Sequence, residues 1–396
     1  MNPSQYDGFN QKIGLIARLA LFVFLVYLFL VAVKMFGTGV TTYTNYNNAI
    51  LETLAAQLKN PFTGLCLGII LTALMQSSSA TTSLSVAMVA TGAIPLEGAI
   101  PIAMGANIGA ALPCTIVSLT HIGGKRRTFT RAFSASLILD TFNILTVLIC
   151  FTLEMSFGYL TKTATFLAKL VPASAAGNSP GFNPISYAVD TPAKGIQNLC
   201  LMGLSPLTTL IIMGTCGLIV MIFSLVFITK NMKSLMADKI EDWLNRALSQ
   251  NGYIGLLVGV IVTMLIQSSG ITTSLLVPLV AAGVLSIKKI YPIVIGAKVG
   301  TTITAILAAT AFLNTENGQM GLALAFAHTL FNITGVILFY PIPQMRFPIF
   351  LSRRLSIVLA RRRRYVVGWI AMLYFIYPLW DSCFSEILIN RGNENV

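Results

Sequence analysis

The sequence predicts an all-α polytopic membrane protein of two inverted-topology repeats, each with a re-entrant helical hairpin and a broken transmembrane helix. Three observations lead to this fold class. Of the 396 residues, 55% are hydrophobic and 10% are charged, whereas a soluble domain carries roughly 25% charged residues. The mean hydropathy is +0.79, and several apolar runs reach the about 20 residues that cross a bilayer. The third observation is an internal duplication.

The first repeat is predicted over residues 1–154. Residues 62–94 form its hairpin, because the apolar stretch 62–75 is too short for a bilayer and ends in polar sequence. At 1.5 Å per residue such a stretch covers about 21 Å, against a hydrocarbon core of roughly 30 Å. Residues 96–120 have spanning length but contain the glycine-rich segment 105–109, so we predict a broken helix with an unwound centre.

The remaining chain repeats this order. Residues 155–198 are predicted to be an extracellular linker, and residues 199–345 the second repeat. The second hairpin is predicted at 253–285 and the second broken helix at 287–312. Residues 346–396 are predicted to form a basic interfacial segment and a final transmembrane helix.

The duplication is clearest in two polar clusters that interrupt apolar sequence. Residues 76–83 and 267–274 agree at six of eight positions and lie 191 residues apart, from Gln76 to Gln267. Glycine and proline positions follow the same offset: Gly64 with Gly255, Gly68 with Gly259, Pro101 with Pro292, Gly105 with Gly296 and Gly109 with Gly300. Internal repeats of this kind are typical of transporter folds.

Basic residues account for the net charge of +13, and their placement argues for membrane topology rather than nucleic-acid binding. They cluster in the loops 121–131, 230–250 and 346–364, as the positive-inside rule produces. Placing these loops inside gives a cytoplasmic N-terminus and opposite orientations for the two repeats. We therefore predict a multi-pass protein of the cell membrane, plasma or inner, whose partner is the lipid bilayer and not nucleic acid.

The hairpin tips form a candidate anion site. A tip puts the N-terminus of its second half-helix inside the membrane, where backbone N–H groups lack intrahelical partners and the helix dipole is positive. Hydroxyl donors add to them at Ser77, Ser78, Ser79, Ser268 and Ser269. Two such ends facing each other suit a tetrahedral oxyanion that has to be released again.

The same segments offer neutral oxygen ligands for Na⁺. Amide and hydroxyl oxygens are hard ligands, and the unwound segment 105–109 is expected to add free backbone carbonyls. The side-chain candidates are Gln76, Thr81, Thr82, Asn107, Gln267, Thr272 and Thr273. A single Ser/Thr cluster in a membrane helix usually serves helix–helix contact, but the duplication favours a binding site.

The two Gln-Ser-Ser clusters resemble those of the type II sodium-dependent phosphate cotransporters and their bacterial relatives. The similar pattern includes Gly-Ala-Asn-Ile-Gly at 105–109, Gly-Ala-Lys-Val-Gly at 296–300, and the Phe-Asn pairs that end at Asn143 and Asn332. This resemblance implies Na⁺-coupled symport of inorganic phosphate by alternating access. It also implies that both tips line the phosphate and sodium sites, with Na⁺ as the co-transported ion and no organic cofactor.

Three positions depart from the family pattern. Gly270 replaces a third serine in the second tip, Leu139 replaces an expected histidine, and Lys298 replaces an asparagine. The Lys298 ammonium could substitute for one Na⁺ or pair directly with phosphate, so we expect it to lower the Na⁺ requirement. Asp140 lies inside a span and needs a partner, for which Arg131, Lys298 or a bound cation are the candidates.

Other functions fit the sequence less well. The runner-up is Na⁺-coupled symport of another small oxyanion, sulfate or a dicarboxylate, although no arginine lies near a tip in the sequence. A membrane enzyme with Ser77 or Ser78 as nucleophile would need a base within reach, and neither tip has a nearby histidine. We therefore predict that the protein is not an enzyme. A pathway without a coupled cycle and the oligomeric state both stay open.

Overall fold

The computed structural model describes residues 3–47, 49–171, 184–249 and 251–379, and these residues contain helices and connecting turns but no β-strand. The first half has α1 (Pro3–Thr44), α2 (Ala49–Gln57), α3 (Pro61–Met75), α4 (Ser78–Ala90), α5 (Leu96–Gly109), α6 (Leu112–Leu119), α7 (Arg126–Phe157) and α8 (Tyr159–Leu170). The second half has α9 (Pro184–Leu201), α10 (Pro206–Ser249), α11 (Gly252–Ile266), α12 (Ser269–Ser274), α13 (Val277–Ala282), α14 (Ile287–Thr301), α15 (Ile303–Thr310), α16 (Gly318–Phe339), α17 (Phe347–Leu359) and α18 (Arg363–Ala371).

Six candidate membrane spans occur within the described residues, judged by length and apolar composition. They are Leu15–Thr44, Leu96–Leu119, Arg126–Phe157, Pro206–Leu235, Ile287–Thr310 and Gly318–Phe339. Leu96–Leu119 and Ile287–Thr310 coincide with the two predicted broken helices, and the six spans together agree with an all-α polytopic membrane protein. The final transmembrane helix predicted within residues 346–396 lies partly outside the described residues.

The helices α3 and α11, which precede the two polar clusters, begin with the same kind of cap. Asn60 accepts a hydrogen bond from the backbone N–H of Phe62, and Asn251 accepts one from that of Tyr253. An asparagine side chain at this position satisfies one of the unpaired donors of the first turn. Both helices contain 15 residues, which at 1.5 Å per residue is about 22 Å and shorter than a membrane span.

Glycine pairs bring two helices into backbone contact in each repeat. A Cβ atom on Gly68 of α3 would fall on the backbone carbonyl of Ile102 in α5, and one on Gly105 would fall on the backbone of α3. Gly259 and Gly296 make the equivalent approach between α11 and α14. Close helix packing therefore explains why these glycines recur at the same spacing in both repeats.

The predicted unwinding of residues 105–109 is wrong. Helix α5 continues through Gly109 and breaks only at Ala110 and Ala111. The break precedes Pro113, whose ring would clash with the carbonyl four residues earlier in a continuous helix. In the second repeat the break falls at Thr302. Residues 105–109 form the last turn of α5, where the carbonyls of Ala106 and Ile108 accept backbone N–H groups and that of Asn107 accepts side-chain donors.

The second half-helix after each cluster differs between the repeats. Helix α4 is continuous over 13 residues, whereas its counterpart is divided into α12 and α13, of six residues each. Pro278 stands in α13 where the first repeat has Ala87, 191 residues earlier. A proline interrupts a helix because it has no N–H and its ring crowds the preceding turn.

Several helix ends differ from the predicted segments. Helix α1 extends over Pro3–Thr44, and α9 begins inside the predicted linker 155–198 and continues to Leu201. The basic residues 230–250, which the sequence analysis places in a loop, instead continue α10 without a break up to Ser249. These extensions follow because polar residues next to an apolar helix can continue it outside the membrane, where water satisfies their side chains.

Two large buried apolar clusters hold the helices together, and each combines parts of both sequence repeats. One joins residues of α3–α5 to residues of α15 and α16, including Ile100 and Phe331. The other joins residues of α6 and α7 to residues of α11–α14, including Ile138 and Val294. Helices α7 and α16 also cross closely, since a Cβ on Gly335 would meet the side chain of Thr146. The repeats are therefore intertwined.

Candidate functional site

Each polar cluster contains a tip, which we define as residues 76–79 in the first repeat and 267–270 in the second. Gln76 has a φ of 51° and Gln267 a φ of 58°, and no other non-glycine residue in the described segments has a positive φ. Ser77 and Ser268 follow with φ of −148°, and each accepts a hydrogen bond from the backbone N–H three residues on. The two tips therefore share one backbone conformation, as the duplicated sequence predicts.

Threonine hydroxyls tie each tip to the helix before it. Thr72 donates to Thr81 over 2.8 Å, and the equivalent Thr263 donates to Thr272 over 3.0 Å. One residue further, the Thr82 and Thr273 hydroxyls each donate to a backbone carbonyl 2.8 Å away, that of Ser78 and Ser269 respectively. All four sequence-predicted threonines, Thr81, Thr82, Thr272 and Thr273, are buried.

Both tips line one cavity of about 340 Å³. All the predicted tip residues border it: Gln76, Ser77, Ser78, Ser79, Gln267, Ser268 and Ser269. The tips also touch each other, because the Ser79 hydroxyl lies 3.4 Å from the backbone carbonyl of Gln267. The structure thus brings together two segments that are 191 positions apart in the sequence, and the predicted threonines lie directly behind them.

Helix α10 supplies lining residues that the sequence did not indicate. Thr229 and Lys230 border the cavity, and the Thr229 hydroxyl donates to the backbone carbonyl of Ile266, 3.0 Å away, at the end of α11. Lys230 is the charged residue of the described lining, which contains no Asp, Glu or His. The only sequence signal for these residues was their place at the end of a predicted span, next to a basic loop.

Asn107 and Lys298 lie outside this cavity and contact each other. The Lys298 Nζ atom is 3.3 Å from the backbone carbonyl of Asn107, and the Asn143 amide nitrogen donates to the same oxygen. Both side chains are almost completely buried. Lys298 does not border the cavity in this structure, and its direct pairing with an anion held by the serines stays a prediction.

Several buried polar atoms near these helices have no hydrogen-bond partner in the described residues. They are Ser83 Oγ, Asn143 Oδ1, Gln267 Oε1, Thr304 Oγ1, both ring nitrogens of His328, and Asn332 Oδ1. Five of these seven atoms are oxygens of neutral side chains. A buried polar atom without a partner is uncommon and calls for an unseen water, ion or ligand, and neutral oxygens are the ligands that a hard cation accepts.

Asp140 pairs differently from the prediction. Its carboxylate accepts a hydrogen bond from the hydroxyl of Tyr374 and forms no ion pair with Arg131 or Lys298. Tyr374 belongs to the π-helical turn at Met372–Ile376 and is fully buried. The second carboxylate oxygen, Oδ2, is buried without a hydrogen-bond partner in the described residues, so a bound cation stays a candidate for it. The sequence could not indicate Tyr374, because the two residues are 234 positions apart.

The two tips are not equivalent in their surroundings. Gln76 is exposed, whereas Gln267 is only 6% exposed and its Oε1 atom has no described partner. Gly270, which replaces a serine, lies against Pro113. A Cβ atom at position 270 would be 3.7 Å from the proline ring. Helix α12 has only six residues behind the second tip, so its dipole is smaller than that of α4.

This arrangement defines a polytopic membrane protein in which an internal duplication places two hydroxyl-rich loops at one cavity. The chain belongs to the Na⁺/Pi-cotransporter family, whose family model matches residues 28–171 and 220–346. The suspected resemblance is therefore confirmed.

Curated proteins give the same assignment. The chain is 31% identical to sodium-dependent phosphate transport protein 2A of Ovis aries, over 82% of this chain and 61% of that protein. It is 28% identical to sodium-dependent phosphate transport protein 2B of Homo sapiens, over 94% of this chain and 65% of that protein. The chain thus spans about three-fifths of the length of these relatives. No solved structure matches it significantly.

Proposed function

We propose that the protein is a secondary active transporter that carries inorganic phosphate across the membrane together with Na⁺. The single observation that carries this proposal is that the two tips share one cavity, in a chain whose relatives are named sodium-dependent phosphate transport proteins. A site assembled from both repeats can close on either side when the repeats move relative to each other, which is how alternating access works.

Phosphate is assigned to the serines of the two tips. Ser77 and Ser268 use their oxygen to accept a backbone N–H, which leaves the hydroxyl hydrogen to point into the cavity. Ser78 and Ser269 add further hydroxyls, Ser79 adds one that in this structure faces the Gln267 carbonyl 3.4 Å away, and the first turn of α4 adds backbone N–H groups. These donors carry no full charge, so they can bind an oxyanion and still release it.

The chemistry of the lining also supports transport over hydrolysis. A serine nucleophile needs a base within hydrogen-bond reach, most often a histidine. The described lining contains no histidine, and its only titratable side chain is Lys230, whose ammonium is not a base. The proposal therefore assigns the serines to binding and not to covalent catalysis.

Na⁺ is assigned to the neutral oxygens behind the tips. Thr82 and Thr273 use their hydroxyl hydrogen in bonds to Ser78 and Ser269, which leaves their oxygen lone pairs for a cation. Gln267 Oε1 and the Asn143 amide oxygen are buried and unpaired in the described residues. Gln76, Thr81, Asn107 and Thr272 remain candidates from the sequence, and Asn107 already shares its backbone carbonyl with Lys298.

Lys298 is proposed to act as a fixed cation at this place. The family pattern has an asparagine there, and this chain has a buried ammonium with a single described hydrogen bond. A charge that stays in the protein can replace one that would otherwise arrive as Na⁺. The proposal is that Lys298 lowers the dependence of transport on Na⁺.

A two-fold relation between the repeats is supported by the contact between Lys298 and Asn107, and the placement of the basic loops inside makes that relation an inverted one. These residues occupy equivalent positions in the two repeats, 191 residues apart. Equivalent positions that touch lie close to a two-fold axis relating the repeats, as inverted-topology transporters have. With the basic loops placed inside, this arrangement puts the first hairpin and the second hairpin on opposite sides of the membrane.

Uptake of radiolabelled phosphate into proteoliposomes tests the proposal. We expect uptake to require an inward Na⁺ gradient, and we expect Ser78→Ala and Ser269→Ala to reduce it by about tenfold or more, since a lost donor to a charged ligand costs about 1.5–3 kcal/mol. Ser156→Ala is the matched control, because Ser156 is exposed near the end of α7 and does not line the cavity. Uptake without a gradient, or wild-type rates in both tip variants, would overturn the proposal. Competition by sulfate equal to that by phosphate would favour the runner-up substrate.

A further inference from the structure

A second cavity, of about 810 Å³, lies on the face that carries the basic loops. Five cationic side chains line it, from three separate helices, α7, α14 and α17: Arg126, Arg127, Arg131, Lys289 and Arg353. The described lining contains no acidic residue. Arg131 reaches across the cavity, since its guanidinium occupies the place to which a Cβ on Gly283 would point. Cations without acidic partners concentrated around a concave surface favour a multiply coordinated anion.

A buried hydroxyl inside this cavity lacks a partner. Ser134 lines the cavity, is 3% exposed, and its Oγ atom has no hydrogen-bond partner in the described residues. It lies on α7 two turns beyond Arg126 and Arg127, which begin the helix. The helix α14 also begins here, and its N-cap residue Ser286 makes no side-chain capping bond. Hydroxyl and backbone donors therefore accompany the cations, as in phosphate-binding sites.

Apolar side chains at the rim indicate what the anion is attached to. Val284 is 72% exposed and Ile357 is 49% exposed, and both border the cavity next to the cations. In a membrane protein, exposed apolar residues beside a basic cluster are where acyl chains meet headgroups. A free inorganic anion has no apolar part that could contact this rim.

The equivalent cavity in the other repeat has a different charge. We call the 810 Å³ cavity the basic cavity; it lies around the loop after α13. A cavity of about 890 Å³ lies around the equivalent loop of the first repeat, after α4. Its charged lining residues are Glu97, Lys162 and Lys169, so an acidic residue offsets one of two lysines. The duplication explains why the two cavities occupy equivalent positions, but only one of them is lined by a cluster of cations. The fold therefore does not by itself require the basic lining.

We infer that the basic cavity binds the phosphate group of an anionic phospholipid, with the cations and Ser134 around the phosphate and the acyl chains along the rim at Val284 and Ile357. The lipid would connect α7, α17 and the loop between α13 and α14, at the end of the second hairpin that lies away from the tip. This site is separate from the cavity between the tips and does not depend on the solute that the protein carries.

The test measures lipid binding to the purified full chain in neutral detergent. Native mass spectrometry with phosphatidylglycerol or phosphatidylcholine gives the apparent Kd of each lipid. We expect the wild type to prefer phosphatidylglycerol, and the triple variant Arg127→Gln, Lys289→Gln, Arg353→Gln to bind it about tenfold or more weakly, because each lost charge weakens attraction to an anionic lipid. The charge-matched control is Arg361→Gln, Arg362→Gln, Arg364→Gln, which removes three exposed charges outside the described lining.

The outcomes separate the site from general surface charge. Retained affinity in the control with loss in the cavity variant supports the inference, whereas equal loss in both overturns it. Ser134→Ala is the milder variant for the case in which the triple variant does not fold, and unchanged affinity in Ser134→Ala would then count against the site. Inorganic phosphate or glycerol phosphate that displaces the lipid at equal concentration would overturn the lipid as the source of the phosphate group.

Discussion

The Lys298 Nζ atom lies 3.3 Å from the backbone carbonyl of Asn107, which is the residue in the equivalent position of the first repeat. The contact joins the two halves of a duplicated chain at equivalent positions, which carry different residues. Lys298 is fully buried, and none of the described ion pairs involves it. A buried charge without an opposite charge is costly and marks a functional position in membrane proteins.

Lys298→Asn is expected to steepen the dependence of phosphate uptake on Na⁺ concentration and to increase the charge moved per transport cycle. The reason is that asparagine offers an oxygen ligand where lysine offers a fixed charge. Uptake and current measured at several Na⁺ concentrations check this prediction. Lys288→Asn is the control, since Lys288 is exposed on the same helix. Identical Na⁺ dependence in Lys298→Asn and the wild type would show that the ammonium plays no part in coupling.

Gln267→Ala is expected to raise the Na⁺ concentration for half-maximal uptake more than Gln76→Ala does. Gln267 is buried with an unpaired Oε1, whereas Gln76 is exposed. Alanine also strains the left-handed backbone at this position, so Gln267→Gly serves as a second variant that removes the side chain without that strain. Equal Na⁺ requirements in Gln267→Gly and the wild type would exclude a role for the amide oxygen.

Gly270→Ser is expected to fold normally and to lower the phosphate concentration for half-maximal uptake by a few-fold. The Cβ would meet Pro113 at 3.7 Å, which is ordinary van der Waals contact, and the added hydroxyl supplies one donor worth about 0.5–1.5 kcal/mol. Gly270→Ala has the same Cβ without the hydroxyl. If both variants change the phosphate dependence equally, the effect comes from bulk and not from a hydrogen bond.

Removing the hydroxyls of Thr72 and Thr81 is expected to destabilise the first tip in a coupled manner. The bond between them is 2.8 Å long and buried, so each change to valine should cost about 1–3 kcal/mol, with a coupling of about 1 kcal/mol between them. Thermal unfolding of Thr72→Val, Thr81→Val and the double variant measures this. Fully additive shifts in Tm would show that the hydroxyls do not act as a pair.

Gly68→Ala is expected to lower the thermal stability strongly because its Cβ would overlap the backbone carbonyl of Ile102. Overpacking of this kind typically costs about 1–3 kcal/mol. Gly195→Ala is the matched control: it is also helical, and nothing lies within 4 Å of its Cβ. Its Tm should stay the same or rise slightly, since alanine favours a helix. Similar Tm values for both variants would contradict the close packing of α3 on α5.

The sequence predicts the local parts of the site well, because they depend on short-range chemistry. Two Gln-Ser pairs at equivalent positions give two tips with one conformation, and the first apolar helices end where the polar residues begin. The glycines at 105 and 109 were misassigned, since a glycine that permits close packing and one that unwinds a helix look alike in sequence. Thr229 and Tyr374 were missed because their importance comes from contacts across 37 and 234 positions.

The intertwining of the repeats has a consequence for biosynthesis. The buried face of α3–α5 is covered by α15 and α16, which leave the ribosome about 200 residues later. The first repeat therefore cannot complete its packing while it is being synthesised. Until α15 and α16 are inserted, the face of α3–α5 that they cover contacts lipid or other parts of the chain. Assembly is expected to be a late event that follows insertion of α16, and chains that stop before α15 should be degraded instead of forming half of a site.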